Sequence, residues 1–305
     1  MTLPSAGPHP LVSVFMPVYN HASFVEACLD SIAGEDYPEL ELVIIDDGSL
    51  DDSFLRVQQW VAANSGRFRR VVCRTQPNAG LCRTLNRLVA EIKGEFATMV
   101  ASDDALIPGG IRARVETLQK HPEWLAAFGD AQTMDGDGTV YQQSNLREEQ
   151  EADLMALADP QRITMELLLR WSIPGPVLLC RREAWDPVRG VGLYDEALFL
   201  EDRDFYLRLL ARKALGFVNR PVARYRLHSS NACRDRSARN RLRETLWQSN
   251  LKNAPLFSGA AQQILLFQAR ERHAALHGRR LERILAKLAL ALFRLWFRPP
   301  RPFWR

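Results

Sequence analysis

The sequence predicts an α/β fold, a mostly parallel sheet flanked by helices and followed by a C-terminal helical extension. Three observations carry that expectation. From Leu11 to Ala101, short β-branched or aromatic runs alternate with stretches of helical periodicity. The runs are apolar almost throughout, as strands covered by helices on both faces must be. Beyond about Ser237 every segment is patterned as helix.

In chain order, strands are expected at "LVSVFMPVY" (Leu11 to Tyr19), "LELVIID" (Leu40 to Asp46), "RRVVCRT" (Arg69 to Thr75) and "EFATMVA" (Glu95 to Ala101). Helices are expected between them at "ASFVEACLDSIAG", "DDSFLRVQQWVAA" and "AGLCRTLNRLVAEIKG". In the last of these Leu81, Leu85, Leu88, Val89 and Ile92 recur at the spacing of one helical face packed on a sheet. From about Asp130 to Asp159 the chain turns polar, and "DGDG" with "REEQEAD" reads as a strand hairpin followed by a mobile connection. "DGDG" looks like the start of a calcium loop but lacks the closing Glu. A helix around Thr164 to Trp171, a buried strand "PGPVLLC", a helix in "LEDRDFYLRLLARKALG" and a strand "RPVARYRLHSS" containing His228 complete the sheet domain, expected at 1–235. Residues 236–305 form the helical, basic, amphipathic extension.

Composition narrows the function classes. The five cysteines are scattered without a C-x-x-C pair, which argues against a disulfide framework and a zinc site. "MTLPSAGPHPL" has no basic n-region and no long apolar run, so no signal peptide is read and a cytoplasmic location is expected. From Arg270 to Arg305 there are ten Lys and Arg against two Glu, a local +8 that leaves the first 269 residues at −4 out of a total of +4. The basic residues alternate with Leu, Ile, Phe and Trp, a pattern that fits a membrane surface at least as well as nucleic acid.

Sheets of this kind bind ligands beyond the carboxyl ends of their strands. Tyr19-Asn20, Asp46-Asp47 and Asp103-Asp104 all fall at such ends and converge on one cleft. No G-x-G-x-x-G follows the first strand and no G-x-x-x-x-G-K-[ST] occurs, so a phosphate-bearing ligand must be held another way, for which a carboxylate-bound cation is the candidate. Two adjacent carboxylates repel unless something neutralises them, and a divalent cation would do so.

The ordered segments "VSVFMPVYN", "LELVIIDDGSLDDS", "NAGLCRTLNRLVAEIKGEF", "VASDDALIPGG", "LYDEALFLEDRDFYLRL" and "YRLHSSN" resemble the family 2 glycosyltransferases of the GT-A (Rossmann-like) fold, from about Leu11 to Asn231. The resemblance implies inverting transfer of a sugar from a nucleotide diphosphate donor, usually a UDP-sugar, to an acceptor hydroxyl of a glycan or lipid-linked acceptor. It implies that Pro17, Val18, Tyr19 and Asn20 border the nucleobase and that Asp46 contacts base or ribose. Asn78, Gly80, Asn86, Ser102, Asp104 and Glu201 are carried over with them as nucleotide-sugar contacts. Asp103 matches the last Asp of the metal-binding D-x-D, His228 a histidine that helps hold metal or diphosphate, and Asp202 the catalytic base. The implied cofactor is Mg²⁺ or Mn²⁺. Two departures stand out: Ala101 occupies the first D-x-D position, and Leu85 stands where an Arg often precedes the helical Asn, with Arg83 as a nearby substitute.

The chemistry requires these residue types. A divalent cation on the diphosphate stabilises the leaving group, and oxygen ligands such as Asp103 suit Mg²⁺ or Mn²⁺. A carboxylate near the acceptor hydroxyl takes its proton, and Asp202 can do so while also standing at a helix start. Asp46 and Asp47 before Gly48-Ser49 would in any α/β protein serve as turn residues. In the tail, Leu281, Ile284, Leu285, Leu288, Leu292 and Leu295 share one helical face, with Arg283, Lys287, Arg294 and Arg298 on the other. That helix is too short and too charged to span a bilayer; it either lies in a membrane interface or packs on the sheet domain. The competing class is a non-catalytic nucleotide-sugar or glycan-binding protein on the same scaffold.

Overall fold

A computed structural model describes residues 9–171, 173–228 and 239–297. Asn231, Cys233, the 235/236 division and Arg298 lie outside the described residues. The chain runs β1 (Val12–Val18), α1 (Val25–Ala33), β2 (Leu40–Asp46), α2 (Ser53–Asn64), β3 (Arg70–Thr75), α3 (Leu81–Glu91) and β4 (Phe96–Met99). It continues with β5 (Ala105–Leu106), α4 (Gly110–Lys120), β6 (Ala126–Met134), β7 (Val140–Gln142), α5 (Leu154–Leu157), α6 (Ile163–Leu169) and β8 (Leu178–Arg181). The remaining elements are α7 (Asp202–Ala211), β9 (Leu215–Arg226), α8 (Arg239–Asn253), α9 (Gly259–Leu276) and α10 (Arg280–Trp296).

One sheet has the order β3-β2-β1-β4-β8-β6-β9-β5, with β7 on β6. Pairing is parallel from β3 to β4 and between β6 and β9; β4–β8, β6–β8, β5–β9 and β6–β7 are antiparallel, so the whole sheet is mixed. All residues of β2 are buried; its one internal charge, Glu41, accepts from Ser13 Oγ and Arg70 Nη1. The chain goes from β1 outward to β2 and β3 and then returns to β4 on the other side of β1. The order therefore reverses between β1 and β4, which opens a crevice at their carboxyl ends.

Three local expectations are corrected. The strand in "PGPVLLC" is only Leu178–Arg181, because Gly175–Val177 forms a 3₁₀ turn around Pro174 and Pro176, which lack backbone donors. The helix beginning near Glu201 ends at Ala211, well before Gly216: Lys213 adopts a left-handed φ of 54°, and the chain enters β9 at Leu215. The polar stretch after the hairpin is packed, not loose. Asp130 accepts from Ser144 Oγ at 2.5 Å and Leu146 N at 3.0 Å, and Leu146 and Leu157 are buried. The "DGDG" segment is the hairpin turn itself, with Asp135 Oδ1 accepting from Asp137 N and Thr139 N at 3.0 and 2.9 Å.

Candidate active site

The loops after β1 and β2 are tied together at the crevice. Asn20, with a left-handed φ of 54°, donates its N–H to Ser49 Oγ at 2.9 Å and accepts from Leu50 N at 2.7 Å. Pro17 and Val18 lie within β1, while Tyr19 and Asn20 are exposed beyond it. Asp46 is buried at the end of β2, and its Oδ2 accepts from Gly48 N, Ser49 N and Thr75 Oγ1 at 3.2, 3.1 and 2.9 Å. Its Oδ1 is buried without a hydrogen-bond partner among the described residues, the state expected of an acceptor that a ligand satisfies. Asp47 is consumed locally, accepting from Gln76 Nε2 at 2.7 Å and from Ala79 N and Gly80 N at 2.9 Å. Those bonds hold the exposed Asn78 and Gly80 beside the Asp46 turn; Gly80 has φ 86°, which favours glycine.

After β4 the two adjacent acids take different roles. Asp104 Oδ1 accepts from Arg226 N at 2.8 Å, so this carboxyl faces the backbone of β9. Burial, reinforced by the charge of Asp103, pushes Asp104 well above the usual carboxylate range and keeps it neutral. Burial also works against ionisation of Asp103, but the bond to His228 and the nearby His21 outweigh it and hold Asp103 below its ordinary value.

His228, just after β9, places Nε2 at 2.9 Å from Asp103 Oδ2. His21 Nδ1 lies 2.8 Å from the buried Ser102 Oγ and 3.8 Å from Asp103 Oδ1. Burial lowers the pKa of His21, which leaves its imidazole neutral near pH 7. Among the described residues, donor atoms of His21, Asp103 and His228 fall within 4.8 Å of one another. Bonds from nitrogen or carboxylate oxygen to a divalent cation are about 2.0–2.2 Å, so this spread is close to the width of one coordination shell and the residues fit a divalent cation. Arg226 braces the cluster: its Nε donates to Asp103 O at 2.7 Å, Nη1 reaches Gly136 O at 3.0 Å, and the guanidinium lies 5.1 Å above the Phe24 ring. His21 and Arg226 lie outside the sequence expectation. The signal for His21 is its place in "PVYNHASF", just past the end of β1.

The third cluster is Glu201 with Asp202 at the start of α7. They line an apolar pocket with Met99, Trp185, Tyr194, Phe205 and Tyr206, and with Pro174 and Gly175. A side-chain carbon built on Gly175 would lie 3.9 Å from Asp104 Oδ2, which brings this pocket against the acids after β4. Burial raises Asp202 above its ordinary value, and burial together with the charge of Asp202 pushes Glu201 up to about 8. Asp202 therefore ionises first and Glu201 remains its neutral neighbour, a separation that suits one base beside one proton donor.

Asn86 does not join the Asp46 turn. Its amide donates to Tyr194 O at 3.0 Å and Glu196 Oε1 at 3.1 Å and accepts from Tyr194 N at 2.9 Å, which engages both N–H donors with the segment leading to Glu201. Arg83 pairs with Glu196 at 3.0 Å. From the other side α8 and α9 hold the start of α7, with Thr245 Oγ1 accepting from Phe199 N at 3.1 Å and Arg203 donating to Asn250 and Gln268 at 2.7 Å. Among the described residues the site groups are thus a buried acceptor without a partner at Asp46, a carboxylate beside two imidazoles at Asp103, and the adjacent carboxyls of Glu201 and Asp202.

Comparison with known proteins agrees with this geometry. The family model for glycosyl transferase family 2 matches residues 13–170. An uncharacterized glycosyltransferase of Rickettsia felis is 28% identical over 244 residues, 79% of this chain but only 38% of that protein. In overall fold the chain is similar to TarS of S. aureus in complex with UDP-GlcNAc, with a TM-score of 0.66 at 16% identity over 93% of this chain and 81% of TarS. It is also similar to the mannosyltransferase PcManGT of Pyrobaculum calidifontis in complex with GDP-Man and Mn²⁺, with a TM-score of 0.59 at 18% identity over 95% of this chain and 83% of that one.

Proposed function

The chain belongs to glycosyl transferase family 2 and has the GT-A fold, and from that premise we propose that it transfers a sugar, with inversion, from a nucleoside diphosphate donor to an acceptor hydroxyl. The observation that carries this reading is the approach, at Gly175, of the Asp202 pocket to Asp104, the acid next to Asp103. UDP-sugars are the first candidates for the donor, since the TarS complex holds UDP-GlcNAc.

The residues divide the work as follows. Asp46 Oδ1 accepts from a base N–H or ribose hydroxyl, which satisfies its buried lone pairs. Asp103 and His228 hold a divalent cation, Mg²⁺ or Mn²⁺; when bound, such a cation stabilises negative charge on the departing diphosphate. Asp202 takes the proton of the acceptor hydroxyl as that oxygen attacks. Neutral Glu201 donates a hydrogen bond within the same pocket, and the aromatic walls exclude water. With Mn²⁺ present, at least one UDP-sugar is expected to release UDP faster with the wild type than with Asp202→Asn when glycan or lipid-linked acceptors are supplied. Donor binding with no Asp202-dependent release would instead favour a non-catalytic binding protein, the reading that Ala101 motivates.

The acceptor reading rests on α10. Ala286 and Leu290 are buried, and Leu290 with Phe293 packs on Leu168, Leu169, Ile264 and Leu265. The broad face of Leu281, Ile284, Leu285, Leu288, Leu292 and Leu295 points outward, each residue 54% to 70% exposed, and Trp296 beside it is 83% exposed. Arg280, Lys287 and Arg294, spaced seven apart, line one border of that face. No helix among the described residues is long and apolar enough to cross a membrane. An apolar face bordered by cations matches an anionic lipid surface, and each basic residue near such a surface contributes about 1 kcal/mol. This face supports the reading of a lipid-linked acceptor. The protein is expected to float with vesicles rich in phosphatidylserine but not with purely zwitterionic ones, and Leu288→Glu with Leu292→Glu should abolish flotation. Salt-insensitive self-association lost in the same variant would assign the face to a second copy instead.

A further inference from the structure

A third candidate donor for the proposed cation site, His21, comes from the loop after β1. Ala101 offers no donor side chain, and Asp104 is turned to the backbone of β9, so only Asp103 of the stretch after β4 faces the cluster. His21 reaches it from the other side of the crevice, from the loop after β1. Its backbone is fixed there: the N–H donates to Ser53 Oγ at 2.8 Å, and the carbonyl accepts from Phe24 N and Val25 N at 2.9 and 3.0 Å. Ser102 Oγ lies 2.8 Å from Nδ1, the ring nitrogen that is 3.8 Å from Asp103 Oδ1, and so fixes the ring beside the carboxylate. The two imidazoles meet edge to face with centroids 5.9 Å apart, and the Phe24 ring packs on both, 6.0 Å from His21 and 4.6 Å from His228.

Resting on the proposed cation site, we infer that His21 is a direct ligand, completing with Asp103 and His228 a set of two imidazoles and one carboxylate that selects a transition-metal cation over Mg²⁺. Mg²⁺ prefers oxygen donors and keeps much of its water, whereas imidazole nitrogen strengthens binding along the first-row series from Mn²⁺ onward. The missing carboxylate at Ala101 thus changes which ion the site takes rather than removing the site. It also draws the loop after β1 into the donor site, so that cation loading orders Tyr19 and Asn20 together with Asp103.

The test is Mn²⁺ binding to the full chain, with and without UDP, read by electron paramagnetic resonance. In the wild type, Mn²⁺ should remain bound against excess Mg²⁺ and should show hyperfine coupling to nitrogens of two imidazoles. His21→Ala is expected to lose one of these couplings and to weaken Mn²⁺ binding by about 10-fold or more, at least the effect of losing an outer partner. His21→Asp should restore cation binding with the preference moved toward Mg²⁺. If Asp103→Asn abolishes Mn²⁺ binding while His21→Ala keeps both couplings and full affinity, the inference about His21 is overturned and the proposed function stands. If the wild type binds no Mn²⁺ with or without UDP, the cation site fails and the inference with it.

Discussion

Asp202→Asn should lower the rate of sugar transfer by about 10²- to 10⁴-fold, the usual contribution of a positioned base, while UDP binds as in the wild type. The substitution keeps the shape of the α7 start and removes only the ability to take a proton. Because that proton moves in the transition state, kcat and kcat/KM should fall together with little change in KM. The pH profile gives a second readout. Burial raises Asp202 above its ordinary value, so the wild-type rate should climb with pH through that raised value as the base ionises, and the climb should be missing from the variant. An Asp202→Asn protein that transfers sugar at the wild-type rate would reduce Asp202 to a helix-start residue.

Asp103→Asn should weaken Mn²⁺-dependent UDP binding by at least about 10- to 100-fold, since removing a direct ligand costs no less than removing an outer partner. Calorimetry on the variant checks the affinity. Thermal melting supplies a control: Mn²⁺ with UDP should raise the midpoint of the wild type and leave that of the variant in place. The carboxylate also contributes to stability. Its folded pKa is depressed by His228 and His21, so its contribution is present above the ordinary Asp range and is lost as pH falls through the depressed value. The Asn variant should lack that step.

The parallel half of the sheet is legible in the sequence because each run is bounded by turn residues; the expected Leu40 to Asp46 strand is the observed β2. The end of α7 is not legible, since the left-handed turn at Lys213 interrupts a stretch whose periodicity continues. At the site, the places of Asp46, Asp103 and Asp202 at or near strand and helix ends are legible. What the sequence hides is contact across the crevice. Asp103 and Asp104 are neighbours in the sequence, but burial and the charge of Asp103 raise Asp104 despite the opposing Arg226 N–H, whereas the histidines outweigh burial at Asp103 and hold it down. Periodicity likewise marks an apolar face on α10 without saying which way it turns. The narrow line of Leu290 and Phe293 wins the contact with α6 and α9, and the leucine face is left outward.

Calorimetric titration of the wild type with UDP, first with Mn²⁺ and then with the cation removed by chelator, addresses the cation-held donor most directly. Binding that is present with Mn²⁺ and lost in chelator is the expected result for a diphosphate held through Asp103 and the histidines. UDP binding of equal affinity in both conditions would contradict it, and the basic side chains of the crevice would then have to carry the diphosphate without a metal.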